Sequence, residues 1–144
     1  MQYSFLTTPT IENIHQILSL YKLEGWWVAS HDDADLVKRI VAGSHCFMIV
    51  ENKKGIAGMG RAISDGVSDA YIQDVVVSAD CRGRGIGTAI IRRLLERLNR
   101  DSVNWVGLIA ERGSHPFYER LGFGIMPDST PMVKIGGHQE KRNM

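Results

Sequence analysis

Seven consecutive residues, Arg82-Gly83-Arg84-Gly85-Ile86-Gly87-Thr88, carry the chemistry most easily read from this chain. Glycines at alternate positions let a backbone turn tightly and approach a ligand closely, because no Cβ intervenes. Behind them Ile90, Ile91, Leu94, Leu95 and Leu98 repeat at helical period, with Arg92, Arg93, Glu96 and Arg97 largely on the opposite face. Ahead of them Ile72 and Val75 to Val77 form a β-branched apolar run, the composition of a buried strand. A strand, a glycine turn and a helix in that order leave the N–H groups of the helix's first turn aimed at an anion, and the helix dipole favours negative charge there. Arg82 and Arg84 add guanidinium forks suited to phosphate oxygens. The residues themselves predict a pyrophosphate site.

Spacing separates the nucleotide motifs that share this layout. No lysine follows the glycines, as a P-loop requires, and Gly83, Gly85 and Gly87 alternate where the dinucleotide fingerprint needs Gly-x-Gly-x-x-Gly. The segment resembles motif A of the GCN5-related N-acetyltransferases, Arg/Gln-x-x-Gly-x-Gly/Ala, filled by Arg82, Gly85 and Gly87. A second resemblance lies in Pro116-Phe117-Tyr118-Glu119-Arg120-Leu121-Gly122-Phe123, which is similar to that family's Phe-Tyr-x-x-x-Gly-Phe segment. The two together span roughly the second half of the chain. They imply a direct transfer of acetyl from acetyl-CoA to a small primary amine in a ternary complex. The alternatives are acetylation of protein N-termini or lysines, and a non-catalytic acyl-CoA-binding module.

Acetyl transfer needs a held and polarised carbonyl, a neutral amine and a proton for the departing thiolate. The resemblance assigns the first to backbone groups of Val75, Val76 and Val77, with Arg82 to Thr88 gripping the pyrophosphate. It assigns proton donation to Tyr118, a phenol whose ordinary pKa near 10 suits a thiolate leaving group. Ser114 stands where many relatives place a cofactor-contacting asparagine. The run Tyr71 to Val77 is similar to the matching strand of the glucosamine-6-phosphate acetyltransferases, with Gln73 in place of a glutamate. Gln73 orients a substrate or water but takes no proton. Period-2 alternation puts Asp74 on the opposite side of the strand, as a hydrogen-bonded structural carboxylate. Glu24, Glu111 and His115 are candidate bases, and none is assigned. Trp26 and Trp27, on a loop at Gly25, would form an amphipathic wall for the acceptor or else plug the core.

These groups need a frame. Tyr3 to Thr7 reads as a first strand, and Thr8-Pro9-Thr10 opens a helix running to about Leu20. Asp32 to Ala42 reads as a second helix, capped by Asp32 or Asp33 and stopped by Gly43. Cys46 to Val50 and Ile56 to Ile63 are strands at hairpin spacing, so the early sheet is expected to be antiparallel. After the glycine-loop helix, Trp105 to Ala110 is a further strand, parallel to the Val75–Val77 strand. In the family this pair splays to admit the pantetheine arm. Pro116 to Leu121 is a short helix, and Phe123–Ile125 with Met132–Ile135 form an expected last strand pair. The result is a single-domain α/β fold over 1–135, a mixed sheet with about four helices, and a frayed polar tail at 136–144.

Composition sets outer limits. A chain of 144 residues suits one domain that buries about 70% of its unfolded surface. Apolar residues at 44% and charged ones at 23% are ordinary for a globular protein. A net charge of +1 supplies no general field for nucleic acid or an anionic membrane, so phosphate binding must be local. No apolar run approaches a membrane span, and Tyr3 to Pro9 lacks the make-up of a signal peptide. Cys46, Cys81 and the five histidines show no metal spacing. A reduced, cytoplasmic protein without a metal is expected, with pairing into a homodimer left open.

Overall fold

The computed structural model describes residues 1–27 and 34–136. Its chain order is β1 (Gln2–Phe5), α1 (Ile11–Leu23), α2 (Ala34–Gly43), β2 (Cys46–Asn52), β3 (Gly55–Ser64), β4 (Asp69–Val77), α3 (Ile86–Arg100), β5 (Trp105–Gly107) and α4 (His115–Glu119). The strands form one sheet in sequence order, antiparallel throughout except for the parallel pair β4–β5. This is the expected mixed α/β architecture.

Each helix follows from its sequence. Thr10 caps α1 by accepting from Asn13 N at 3.1 Å, and Asn13 Oδ1 returns the bond to Thr10 N at 3.0 Å. The helix buries Ile14, Ile17, Leu18 and Tyr21 and runs one turn past the expected end. Helix α2 buries Val37 and Val41 and includes Gly43; the caps expected at Asp32 and Asp33 lie outside the described residues. Helix α3 buries Ile86, Ile90, Ile91, Leu94 and Leu98 as one stripe.

The sheet separates two cores. Helices α1 and α2 cover one face with Phe47, Ile49, Met59 and Val76 beneath them. Helix α3 covers the other, over Met48, Val50, Ala62, Ala70 and Ile72, with α4 packed at its margin through Phe117 and Tyr118. Two β3 glycines let α3 lie close: a Cβ on Gly60 would stand 2.8 Å from Ile90 Cγ2, and one on Gly58 3.1 Å from the Val76 carbonyl.

Strand β4 departs from regular alternation at its middle. Opposite it, Met59 pairs with Val76 and Arg61 with Gln73, so Gly60 alone faces both Asp74 and Val75. This bulge puts Asp74 at φ 57°, a left-handed conformation that aspartate tolerates better than most residues. The extra residue shifts the alternation: Ala70 and Ile72 face α3, and so do Val75 and Val77. Asp74 does not point away from Gln73 as strict alternation predicts. Arg61 reaches both, with Nε 2.6 Å from Asp74 Oδ2 and Nη2 3.4 Å from Gln73 Oε1.

The late strands also differ from expectation. Strand β5 ends at Gly107, short of Ala110, and pairs with β4 only over Asp69–Tyr71. Residues 123–135 form no strand, and Ile125, Met126, Met132, Val133 and Ile135 are exposed. Pro127 and Pro131 remove two backbone donors from that stretch, which disfavours a ladder there. The polar tail expected at 136–144 lies, beyond Gly136, outside the described residues. Among the described residues no helix is long and apolar enough to cross a membrane.

Candidate active site

The parallel pair opens immediately after Tyr71. From Gln73 to Val77, β4 bonds only to β3, and across the gap stand Leu108 and Ile109, past the end of β5. The resulting cleft has a volume of about 790 Å³. Gln73, Asp74 and the three valines Val75 to Val77 form one bank. The glycine turn forms the end of the cleft, through Arg82, Gly83, Gly85, Ile86, Gly87 and Thr88. Glu111, Arg112, Ser114, Phe117 and Tyr118 form the second bank, and Glu24 with Trp26 close the side next to α1.

The turn has the form the sequence predicts. Gly83 and Gly85 sit at φ 77° and 78°, a region that glycine alone enters without strain, and Gly85 caps α3. A Cβ on either would have no heavy atom within 4 Å, so the space above the turn is open. The amides of Gly83 to Gly87 donate to no oxygen of the described residues. Open space and unspent donors at a helix N-terminus fit a diphosphate. Gly87 lies beside α4: a Cβ there would meet Phe117 Cζ at 3.4 Å, ordinary contact distance, which places Phe117, and next to it Tyr118, against the first turn of α3.

Tyr118 is half-buried, edge-on to Phe117 at 4.9 Å and to Phe123 at 5.9 Å. Its hydroxyl makes no hydrogen bond to a described residue. Burial, and secondarily the negative charge of Glu111, push its pKa above the ordinary phenol value. The group is therefore a protonated donor at neutral pH, facing the cleft.

Beneath the Gln73 end of the cleft lies a buried polar network. Asp74 Oδ2 accepts from Tyr21 Oη at 2.8 Å and from Arg61 Nε at 2.6 Å, and Arg61 Nη1 donates to Ser44 Oγ at 3.3 Å. It locks the bulge, and through Arg61 it holds Gln73 at the cleft wall. Nothing in local spacing announces it, since Tyr21 and Asp74 are 53 positions apart.

Of the residues expected at the site, Arg84 and Trp27 do not line the cleft. Arg84 is exposed and makes no ion pair with a described residue. Trp27 stacks on Tyr21 at 4.2 Å inside the α1–α2 core, while its neighbour Trp26 reaches the cleft. Among the candidate bases, His115 is exposed and away from the cleft, whereas Glu111 lines it. Both carboxylate oxygens of Glu24 are engaged by arginines: Arg82 Nη2 at 3.1 Å and Arg112 Nη1 at 3.0 Å. Arg112 escaped notice in the sequence, although an Arg-Gly pair just past a strand end resembles the one in the glycine turn. The described residues contain no His, Cys, Asp and Glu group able to hold a metal ion.

The sequence pattern of the acetyltransferase (GNAT) family matches residues 11–123. The chain is 34% identical over 97 residues to serotonin N-acetyltransferase 2, chloroplastic, of Oryza sativa subsp. japonica, covering 65% of this chain and 48% of that protein. It therefore spans about half the length of that relative. It is 32% identical over 145 residues to GCN5-related N-acetyltransferase 1, chloroplastic, of Arabidopsis thaliana, covering 96% and 71%. Among solved structures, a GNAT family acetyltransferase from Streptococcus pneumoniae superposes with a TM-score of 0.76 at 22% identity, covering 94% of this chain and 97% of that one. The chain belongs to the acetyltransferase (GNAT) family.

Proposed function

We propose that this protein transfers the acetyl group of acetyl-CoA directly to a small primary amine. The observation that carries the reading is that the divided β4–β5 pair, the unspent amides of the glycine turn and the hydroxyl of Tyr118 all border one cleft. In this reading the amides of Gly83 to Thr88 and the side chain of Arg82 hold the diphosphate. The pantetheine arm runs between Val75–Val77 and Leu108–Ile109, taking the place a continuous β5 would fill. Such a ligand satisfies strand groups that otherwise lack a neighbour.

The amine nitrogen attacks the thioester carbonyl carbon, and a C–N bond forms as the C=O electrons move to oxygen. On collapse the C–S bond breaks, Tyr118 gives its proton to the sulfur, and the new amide's nitrogen loses its proton to water or to Glu111. Tyr118, with a pKa above the ordinary phenol value, carries the proton this step needs at neutral pH. Trp26 and Gln73 border the acceptor end, where an aromatic plane and an amide suit a small amine better than a long peptide.

The test is release of free thiol from acetyl-CoA against a panel of polyamines, arylalkylamines, amino sugars and amino acids, with lysine peptides alongside. Release with one class of small amine, one thiol per amide formed, is expected. Release only with peptides would move the acceptor to protein. CoA binding without release from any acceptor would make the chain a binding module.

A further inference from the structure

We propose that Glu24 is a placeholder for phosphate, holding Arg82 and Arg112 together across the mouth of the cleft until the donor's diphosphate takes them over. The inference rests on the reading that this cleft receives acetyl-CoA. Glu24 follows the last turn of α1, Arg82 follows β4, and Arg112 follows β5. Three elements that share no backbone hydrogen bond at this point meet at one carboxylate. Its oxygens take one guanidinium each, at 3.1 Å and 3.0 Å, and Arg112 Nη2 also donates to the Glu24 carbonyl at 2.9 Å. Two guanidiniums sharing two oxygens of one anion is the arrangement that a phosphate also satisfies.

Burial distinguishes this contact from a structural bolt. In the Arg61–Asp74 pair the side chains are 7% and 1% exposed, and water does not reach it. At the cleft mouth the arginines are 56% and 55% exposed while Glu24 is 17% exposed. Ion pairs with so much water around their cations are weak and readily exchanged. Within this trio two cations face one carboxylate, an excess of one positive charge (2 − 1 = 1). An incoming diphosphate satisfies that surplus and repels Glu24. Arg82 is already oriented for it, since its Nε donates to the Val77 carbonyl at 3.1 Å and fixes the guanidinium at the end of β4. In this reading Glu24 offsets the mutual repulsion of the two arginines until the donor arrives, and it lowers the affinity for the donor.

Titration calorimetry at low ionic strength tests this with CoA and, in parallel, pantetheine, which lacks the phosphates. Glu24→Gln is expected to bind CoA about three- to tenfold tighter than the wild type, with pantetheine affinity unchanged. The gain should fade as salt screens the charges. Arg112→Ala serves as a second variant that keeps Glu24, and it should weaken CoA binding severalfold while sparing pantetheine. Unchanged or weaker CoA binding by a folded Glu24→Gln protein overturns the proposal, because the carboxylate would then be a support for the arginines. Equal losses for CoA and pantetheine in Arg112→Ala overturn it as well. A wild-type protein that binds no CoA at all removes the acetyl-CoA reading, and the placeholder with it.

Discussion

The two ends of β4 obey different rules. Near its start, Ala70 and Tyr71 are paired on both sides, to β3 and to β5, and Ala70 and Ile72 are sealed under α3. At its end, Val75–Val77 is bonded on one side only and lines an open cleft. The bulge at Asp74 stands where one regime becomes the other. A strand in a closed sheet is supported by its neighbours; the open half needs support from elsewhere. Here it comes from the Asp74–Arg61–Tyr21 network on one face and from α3 seated on Gly58 and Gly60 on the other. The cleft of this chain is therefore a braced gap.

Removing the brace should have the largest effect. Asp74→Ala leaves the Arg61 guanidinium buried without its charge partner, a loss of about 3–5 kcal/mol. Alanine is also poorly suited to φ 57°. Urea unfolding of wild type and variant measures it, and a loss below about 1 kcal/mol would mean that the open half of β4 holds itself up. Gly60→Ala comes next and acts from the other face. Its Cβ would lie 2.8 Å from Ile90 Cγ2 and 3.3 Å from Val75 Cγ2, neither of them a flexible chain end. Forced repacking there should cost about 1–3 kcal/mol and shift the N-terminus of α3, so CoA affinity should fall along with the melting temperature. A variant that melts like the wild type would show that α3 can back away from the sheet at no cost.

At the open end the expected change is in rate. Tyr118→Phe should lower kcat tenfold or more, about 1.4 kcal/mol or above in the barrier, with melting temperature and CoA affinity unchanged. The pH dependence carries the sign. Tyr118 donates only while protonated, and its pKa is raised first by burial and then by Glu111. Any fall in kcat from its ionisation must therefore lie above about pH 10. An alkaline limb near pH 8 that disappears in the phenylalanine variant would contradict the assignment, as would an unchanged kcat.

The same contrast marks what could be read in the sequence. The glycine turn, α3 and the Phe117–Tyr118 segment were legible because their signals are local: a period, a run of small residues, a fixed spacing. The bulge was not, because alternation assumes an unbroken ladder, and one added residue put Gln73 and Asp74 within reach of the same arginine. Glu24 meets Arg82 and Arg112 across 58 and 88 positions, a distance over which no pattern reports contact. Residues 123–135 have the apolar content of strands, yet composition supplies no partner, and two prolines withhold donors. For Trp26 and Trp27 the sequence leaves wall and core plug both open, and the chain divides them: Trp26 lines the cleft and Trp27 turns inward onto Tyr21.

The smallest expected effect belongs to the closed end, where α3 returns to the sheet. There Asp101 accepts from Arg97 Nε at 2.9 Å and lies 2.7 Å from His45 Nε2, tying the end of α3 to the turn before β2. The bond with His45, and then that with Arg97, hold the Asp101 carboxyl below its ordinary pKa. A depressed folded-state pKa stabilises at pH above the unfolded value, about 3.9, and that contribution is lost as pH falls through the folded value. Asp101→Asn should therefore melt slightly below the wild type at neutral pH, and the gap should close in acid, below about pH 4. Solvent around the group keeps the effect small. The comparison is sharpened by what should not change. Tyr118 and the glycine turn belong to the opposite end of β4, so kcat and CoA affinity of Asp101→Asn should match the wild type at neutral pH. A loss of CoA affinity in this variant would show that the two ends move together, and β4 would then be a lever running through the molecule, with no division at its bulge.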